Sequence, residues 1–408
     1  MSFPRFLFVP FLVLLISSVA MSTDPEAELI CAQGLEEFDS GDDEEAIRSF
    51  TEAISLDSGY ADAYVGRAMV YIRYDSLDLA EQDIDRALEL NPDCGRAYSA
   101  LAALVGQQGD LDEALEYAET ANRLEPGWKY SYAVRGAVYA HNGMIEEALD
   151  DFERALEIDP GLSSVLYNRG IIYVYELKDW QRALDDFTAA IEKSYQGSDY
   201  LWMSLYERSM IYFDELGEIE LAMNDIDYAI EMESEDPLLF RARGIINEIR
   251  GQFELSLLDM TRAIELDPSN QEYYILRSYC HIELGEYDSA ITDATRAIEL
   301  DPNSIQAYIN RGSGYLKLEM FDEALEDFNS AVELGPDGNE GYYHRSVSYA
   351  FSGDLESALS DIERAIELNP DAGKQYYFRA LIREALGDVQ GAQLDYAEAE
   401  RCGYINPE

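Results

Sequence analysis

Basic residues are scarce in this 408-residue chain: 29 Lys and Arg stand against 82 Asp and Glu, and only five of the cations are lysine. The formal net charge is −53. Phosphate backbones are held by a basic stripe, which the chain lacks, so nucleic acid is not an expected partner. The acidity is compatible with solubility, repulsion between copies, a basic partner or high salt. A solvated helix surface is the favoured reading of such charge runs.

Histidine is scarcer still. His141, His281 and His344 show no His–His or His–Cys spacing that suits structural zinc. No Ser or Cys stands in a recognisable nucleophile elbow, and no glycine-rich phosphate loop is present. The acidic run from Asp39 to Glu45 does not follow the order of an EF-hand loop. The chain is therefore expected to be non-enzymatic, with no cofactor and no metal.

Long apolar runs are absent except for Phe6 to Ile16, which follows Arg5 and precedes the small residues Ser18-Val19-Ala20. Residues 1–20 read as a secretory signal. The run contains Pro10 and is shorter than the roughly 20 residues that span a bilayer, which leaves an uncleaved anchor as the alternative. The mature chain is thus expected outside the cytoplasm, secreted, periplasmic or at the cell surface, with no integral membrane span.

What the chain does have is a 34-residue echo, in which Pro returns at 92, 126 and 160 and again at 268, 302, 336 and 370. A period of this length marks a solenoid of two-helix units. With Pro at slot 32, one unit reads Tyr132, Gly136, Tyr139, Gly143, Ala148, Phe152, Ala155 and Pro160 at slots 4, 8, 11, 15, 20, 24, 27 and 32. That pattern resembles the tetratricopeptide repeat, over Ala27 to Tyr404. The resemblance implies an all-α, right-handed superhelical solenoid of about eleven repeats and defines architecture more than function.

The units begin at Ala27, Ala61, Gly95, Lys129, Ser163, Trp202, Pro237, Gln271, Ile305, Asn339 and Gly373. Residues 21–26 form an N-terminal cap, with Thr23 or Asp24 ahead of Pro25, and 405–408 a tail. Repeats one to five cover 27–196 and repeats six to eleven 202–404, separated by an irregular join at 197–201. Glycine at slot 15 in eight units supplies the left-handed residue that stops the first helix. Gln393 and Glu400 replace apolar residues in the last unit, as a terminal face requires.

Two departures carry information. Repeats five and six each hold an extra residue, expected in the helix turn at Glu176 to Trp180 and Phe213 to Gly217, with Trp180 and Trp202 beside the irregular stretch. Arg at slot 7 and Asp at slot 23 occur together in nine units and are lost together in repeats one and three. Such matching predicts an ion pair across the hairpin. Cys31, Cys94, Cys280 and Cys402 fall in no facing slots of adjacent units; if repeats touch only their neighbours, free thiols follow.

In relatives of the family the first helix of each unit lines an inner wall through slots 2, 5, 9 and 12. Those slots hold Met203, Tyr206, Met210 and Phe213 in repeat six, Ile275, Tyr279 and Ile282 in repeat eight, and Ile309 and Leu316 in repeat nine. Tyr343 and Val347 follow in repeat ten, and Tyr377 and Leu381 in repeat eleven. The Lys and Asn that clamp a peptide carboxylate in chaperone-binding relatives are missing. The resemblance therefore implies an exported interaction scaffold that holds a protein or peptide segment, apolar and meeting acidic rim positions Glu248, Glu272, Glu340 and Glu384 with Lys or Arg. The alternative is a structural or self-associating envelope protein without a discrete ligand.

Overall fold

The computed structural model describes residues 24–39, 41–195, 198–232 and 236–404. The expected signal and tail lie outside these residues, as does Gly197 of the join. Every described element is helical, and consecutive helices pair into eleven hairpins. The chain divides into two compact units, residues 1–234 with repeats one to six and residues 235–408 with repeats seven to eleven. Within each unit, second helices pack against the first helix of the following repeat.

Close approach of the paired helices rests on small residues. Slot 27 is alanine in all eleven repeats, from Ala53 to Ala399, and none of these side chains is more than 1 % exposed. Slots 8 and 24 face each other and vary together. Where slot 24 is Phe or Met, slot 8 is glycine, as in Gly136 with Phe152, Gly170 with Phe187, Gly244 with Met260 and Gly312 with Phe328; a Cβ on any of these would lie 2.4 to 2.7 Å from its partner. Repeat eleven departs from this, with Ala380 at slot 8 and Tyr396 at slot 24. Where slot 24 is Ile or Ala, slot 8 is Ala or Ser, as in Ala68 with Ile84, Ser278 with Ala294 and Ser346 with Ile362. In the first ten repeats volume is conserved across the pair, as dense packing requires.

Slot 15 takes a positive φ in every repeat. Eight are the expected glycines, with φ between 67° and 96°, and Asp75, Lys178 and Glu319 adopt the same region at 54° to 60°. At the N-terminus the first helix, Pro25–Asp39, begins two residues before the expected repeat start, and Asp24 Oδ1 accepts from the Glu26 amide at 2.9 Å. At the other end Gln393 and Glu400 are exposed.

The extra residues of repeats five and six do not sit in the turn. They are absorbed inside the first helix, whose last segment widens to π geometry at Tyr173–Leu177 and again at Ile211–Glu215. The physical reason is that a one-residue bulge leaves the slot-15 turn and the second helix in register, whereas a longer turn would move both. The Arg–Asp pair survives with one more intervening residue. Asp199, Tyr200 and Leu201, expected in the join, belong to the first helix of repeat six, Asp199–Met210. Trp180 packs against a local core that includes Tyr173 and Phe187.

Candidate functional site

All nine predicted pairs form, each as a two-pronged fork in which Nε and Nη2 of Arg donate to the carboxylate of Asp. Arg311 to Asp327, at 2.9 and 2.7 Å, is representative. Five of these arginines also reach back to slot 25 of the preceding repeat: Arg67 to Thr51, Arg208 to Thr188, Arg277 to Thr261, Arg311 to Thr295 and Arg345 to Asn329. The aromatic ring at slot 4 lies under the guanidinium in most repeats, as Tyr308 does 5.6 Å from Arg311. The pair is thus structural on three sides, holding two helices and two repeats together. Repeat one substitutes a polar relay, with Gln33 and Ser49 both donating to Glu37.

The expected wall residues are distributed over both units. In the first, Met203, Tyr206, Met210 and Phe213 are half-buried, Met203 against the core that includes Tyr167 and Phe187. In the second, Ile275, Tyr279, Ile282, Leu316, Tyr343, Val347 and Tyr377 are half-buried, Ile309 is buried at 3 % exposure and Leu381 is exposed at 39 %. Tyr343 meets Phe378 at 6.0 Å, and Lys374 Nζ lies 5.2 Å from its ring. Tyr377 is covered by Tyr396 and Tyr404, with ring centres at 5.4 and 5.2 Å.

Around Tyr279 the surroundings turn acidic. Its ring meets Phe253 edge-on at 6.2 Å, and Glu248 and Glu283 both lie close enough to raise its hydroxyl pKa, after the larger effect of burial. Burial, then the charge of Glu283, pushes the Glu248 carboxyl above its usual range. Glu248 Oε2 is buried without a hydrogen-bond partner among the described residues. Two carboxylates beside an aromatic face, one of them unsatisfied, form a socket that a cationic side chain would complete. Of the other rim acids, Glu272 is already held by Arg241 at 2.5 Å, and Glu384 accepts from Tyr396.

The first unit contains a cavity of about 400 Å³ that the residue pattern did not announce. Its walls come from repeats one, two, four, five and six. Arg73, Lys129 and Lys193 line it, together with Asp43, Asp159 and Asp199. Arg73 is paired with Asp43 and Lys129 with Asp159, while Lys193 is exposed and makes no ion pair with a described residue. The Tyr195 ring closes one side against the repeat-one turn, so near that a Cβ on Gly41 would lie 2.1 Å from Cε2. Repeats one and five therefore touch, contrary to the expectation that each meets only its neighbours, because the curvature of the unit brings the end of repeat five back to repeat one. The one signal in the sequence was the scarcity of lysine itself: two of five fall here.

Other titratable groups serve packing. Cys31, Cys94 and Cys280 are buried thiols and Cys402 is half-buried; all four are free. His141 contacts the Ala137 carbonyl, His281 contacts Glu286 at 2.6 Å, and His344 stacks on Phe328 at 5.5 Å. Among the described residues no group of three or more His, Cys, Asp or Glu side chains is disposed to hold a metal. No described helix is long and apolar enough to cross a membrane.

Tetratricopeptide repeat models match residues 37–104, 130–162, 271–304, 305–337 and 340–372. Among solved structures, a repeat protein from Parabacteroides merdae is 22 % identical, covering 60 % of this chain and 94 % of its own, with a TM-score of 0.53. Yeast Tom70 is 17 % identical over 93 % of this chain and 92 % of its own, at 0.43. MamA from Desulfovibrio magneticus is 20 % identical over 41 % of this chain and 94 % of its own, at 0.36.

Proposed function

The chain belongs to the tetratricopeptide repeat family, and from that premise we propose that it is an exported, non-enzymatic scaffold whose second unit holds a protein segment carrying Lys or Arg among apolar residues. The observation that carries this reading is the socket at Tyr279. A buried carboxylate oxygen without a donor costs the free protein desolvation that a bound cation would offset. The aromatic ring beside it offers a cation–π face. Leu381 and the half-buried Tyr343 and Val347 supply the apolar part of the wall, in keeping with interfaces that combine aromatic anchors with a polar rim. Export rests on residues 1–20 alone and is tested by sequencing the N-terminus of the mature chain.

Selection of short peptides on the full-length protein checks the binding claim. Enrichment of segments with a basic residue next to apolar ones is the expected result, and Tyr279→Ala with Glu248→Gln should weaken them by about thirtyfold, equivalent to about 2 kcal/mol at an aromatic anchor. Acidic winners, or full affinity in the double variant with unchanged circular dichroism, would remove the socket from consideration. Self-association with no enriched segment would favour the structural alternative.

A further inference from the structure

Independently of the second unit, we propose that the first unit is a latched turn, in which the Tyr195 ring acts as a strap that keeps repeats one to five closed round their own inner wall. The wall itself gives the first observation. Every residue at slots 5, 9 and 12 of repeats one to five is buried, whereas at the same slots of repeats seven to eleven only Ile309 is. Burial stops at repeat six, the first past the strap, where Tyr206, Met210 and Phe213 are half-buried. In the first five repeats these slots are therefore core, and a partner finds no groove there while the turn is closed.

The sequence explains why the turn closes so tightly. Repeats three and four carry only small residues at the wall slots, Ser99, Ala103 and Gly106, then Ala133, Ala137 and Ala140. Small side chains on the inside let successive first helices converge, which bends the stack. Bulkier wall residues of repeats one and two, Phe38, Met69 and Ile72, share one core with the three alanines of repeat four. The strap then fixes the seam. Of the eight slot-15 glycines, six have no described atom within 4 Å of the place a Cβ would take, and Gly285 meets only Tyr287 of its own turn. Gly41 alone is covered by another repeat, with the Tyr195 ring 2.1 Å from that point. The turn beneath is pinned, because Arg73 of repeat two donates to the Phe38 carbonyl at 3.3 Å and pairs with Asp43 at 2.5 Å. One aromatic contact thus joins the two ends of a five-repeat turn, and its loss acts on curvature rather than on any one hairpin.

Alkylation of the full-length protein with iodoacetamide, read by mass spectrometry, follows the closure thiol by thiol. Cys31 occupies slot 5 of the wall at 1 % exposure, and Cys280, at 0 %, reports on the second unit. Such thiols react only through opening of the structure around them. Tyr195→Ala should speed modification of Cys31 tenfold or more while leaving Cys280 and the helical circular dichroism as in the wild type. Lys193→Gln, exposed and two residues before the strap, should leave both rates unchanged. A wild-type Cys31 rate in Tyr195→Ala would overturn the proposal, as would equal acceleration by Lys193→Gln. Loss of helicity in Tyr195→Ala, or equal acceleration of Cys31 and Cys280, would do so too, because either would mark general unfolding instead of a released strap.

Discussion

Single residues in this chain are readable as parts of a repeated circuit. Asp327 is buried at 4 % exposure and accepts both prongs of Arg311. Asp327→Asn removes the counter-charge and should destabilise the second unit by about 1 to 3 kcal/mol in chemical denaturation. Arg311→Leu with Asp327→Tyr, which copies repeat three, should recover part of that loss, and strictly additive effects would show that the two do not interact. Glu207 is a different case. It is buried between repeats five and six, accepts from Tyr175 at 3.1 Å, and burial pushes its carboxyl up to about 7. Its folded pKa lies above the unfolded one, so its contribution is fully present below about pH 4.5 and is lost as the pH rises through 7. A shift of that size corresponds to something on the order of 3 kcal/mol. Glu207→Gln should therefore flatten the melting temperature of the first unit between pH 5 and 8 and raise it at pH 8; an unchanged slope would mean that the carboxyl is solvated.

At the scale of the element, glycine at slot 8 is dictated by the bulk opposite it. Gly312→Ala would bring a Cβ within 2.7 Å of Phe328, and overpacking of this kind costs about 1 to 3 kcal/mol. Gly312→Ser with Phe328→Ile, the combination found as Ser346 with Ile362 in repeat ten, should be close to wild type by the same denaturation assay. A single Gly312→Ala that proved neutral would show that the helices can part without cost. The period made these helices, their starts and their turns legible, since slots 15, 27 and 32 are local requirements of backbone and packing. It did not reveal that the extra residues of repeats five and six would enter the first helix as π segments. Sequence counts the insertion, but only the competition between turn register and helix geometry assigns it to an element.

For the whole molecule, charge is the property that acts at a distance. A chain of net charge −53 attracts a basic segment over a Debye length of about 10 Å at 0.1 M salt, and screening removes that steering first. Association of a selected basic peptide should slow steeply between 50 and 500 mM salt while its dissociation rate changes little. Stopped-flow kinetics measure both, and a salt-sensitive dissociation rate would shift the weight from steering to buried ion pairs.

The sequence by itself determined the repeat, its eleven units, the Arg–Asp forks and the all-helical hairpins, because each follows from contacts that recur at one fixed spacing. The inner-wall residues were equally legible as positions, yet position did not tell that Ile309 is buried while Leu381 is exposed. Only the tertiary structure decided what is not periodic. The unsatisfied Glu248 beside Tyr279 and Glu283 depends on which side chains from adjacent repeats fail to find partners. The meeting of Gly41 with Tyr195, and the cavity with Lys129 and Lys193, depend on curvature accumulated over several repeats. Small rotations between neighbouring repeats add up within the first unit, and no single repeat encodes their sum.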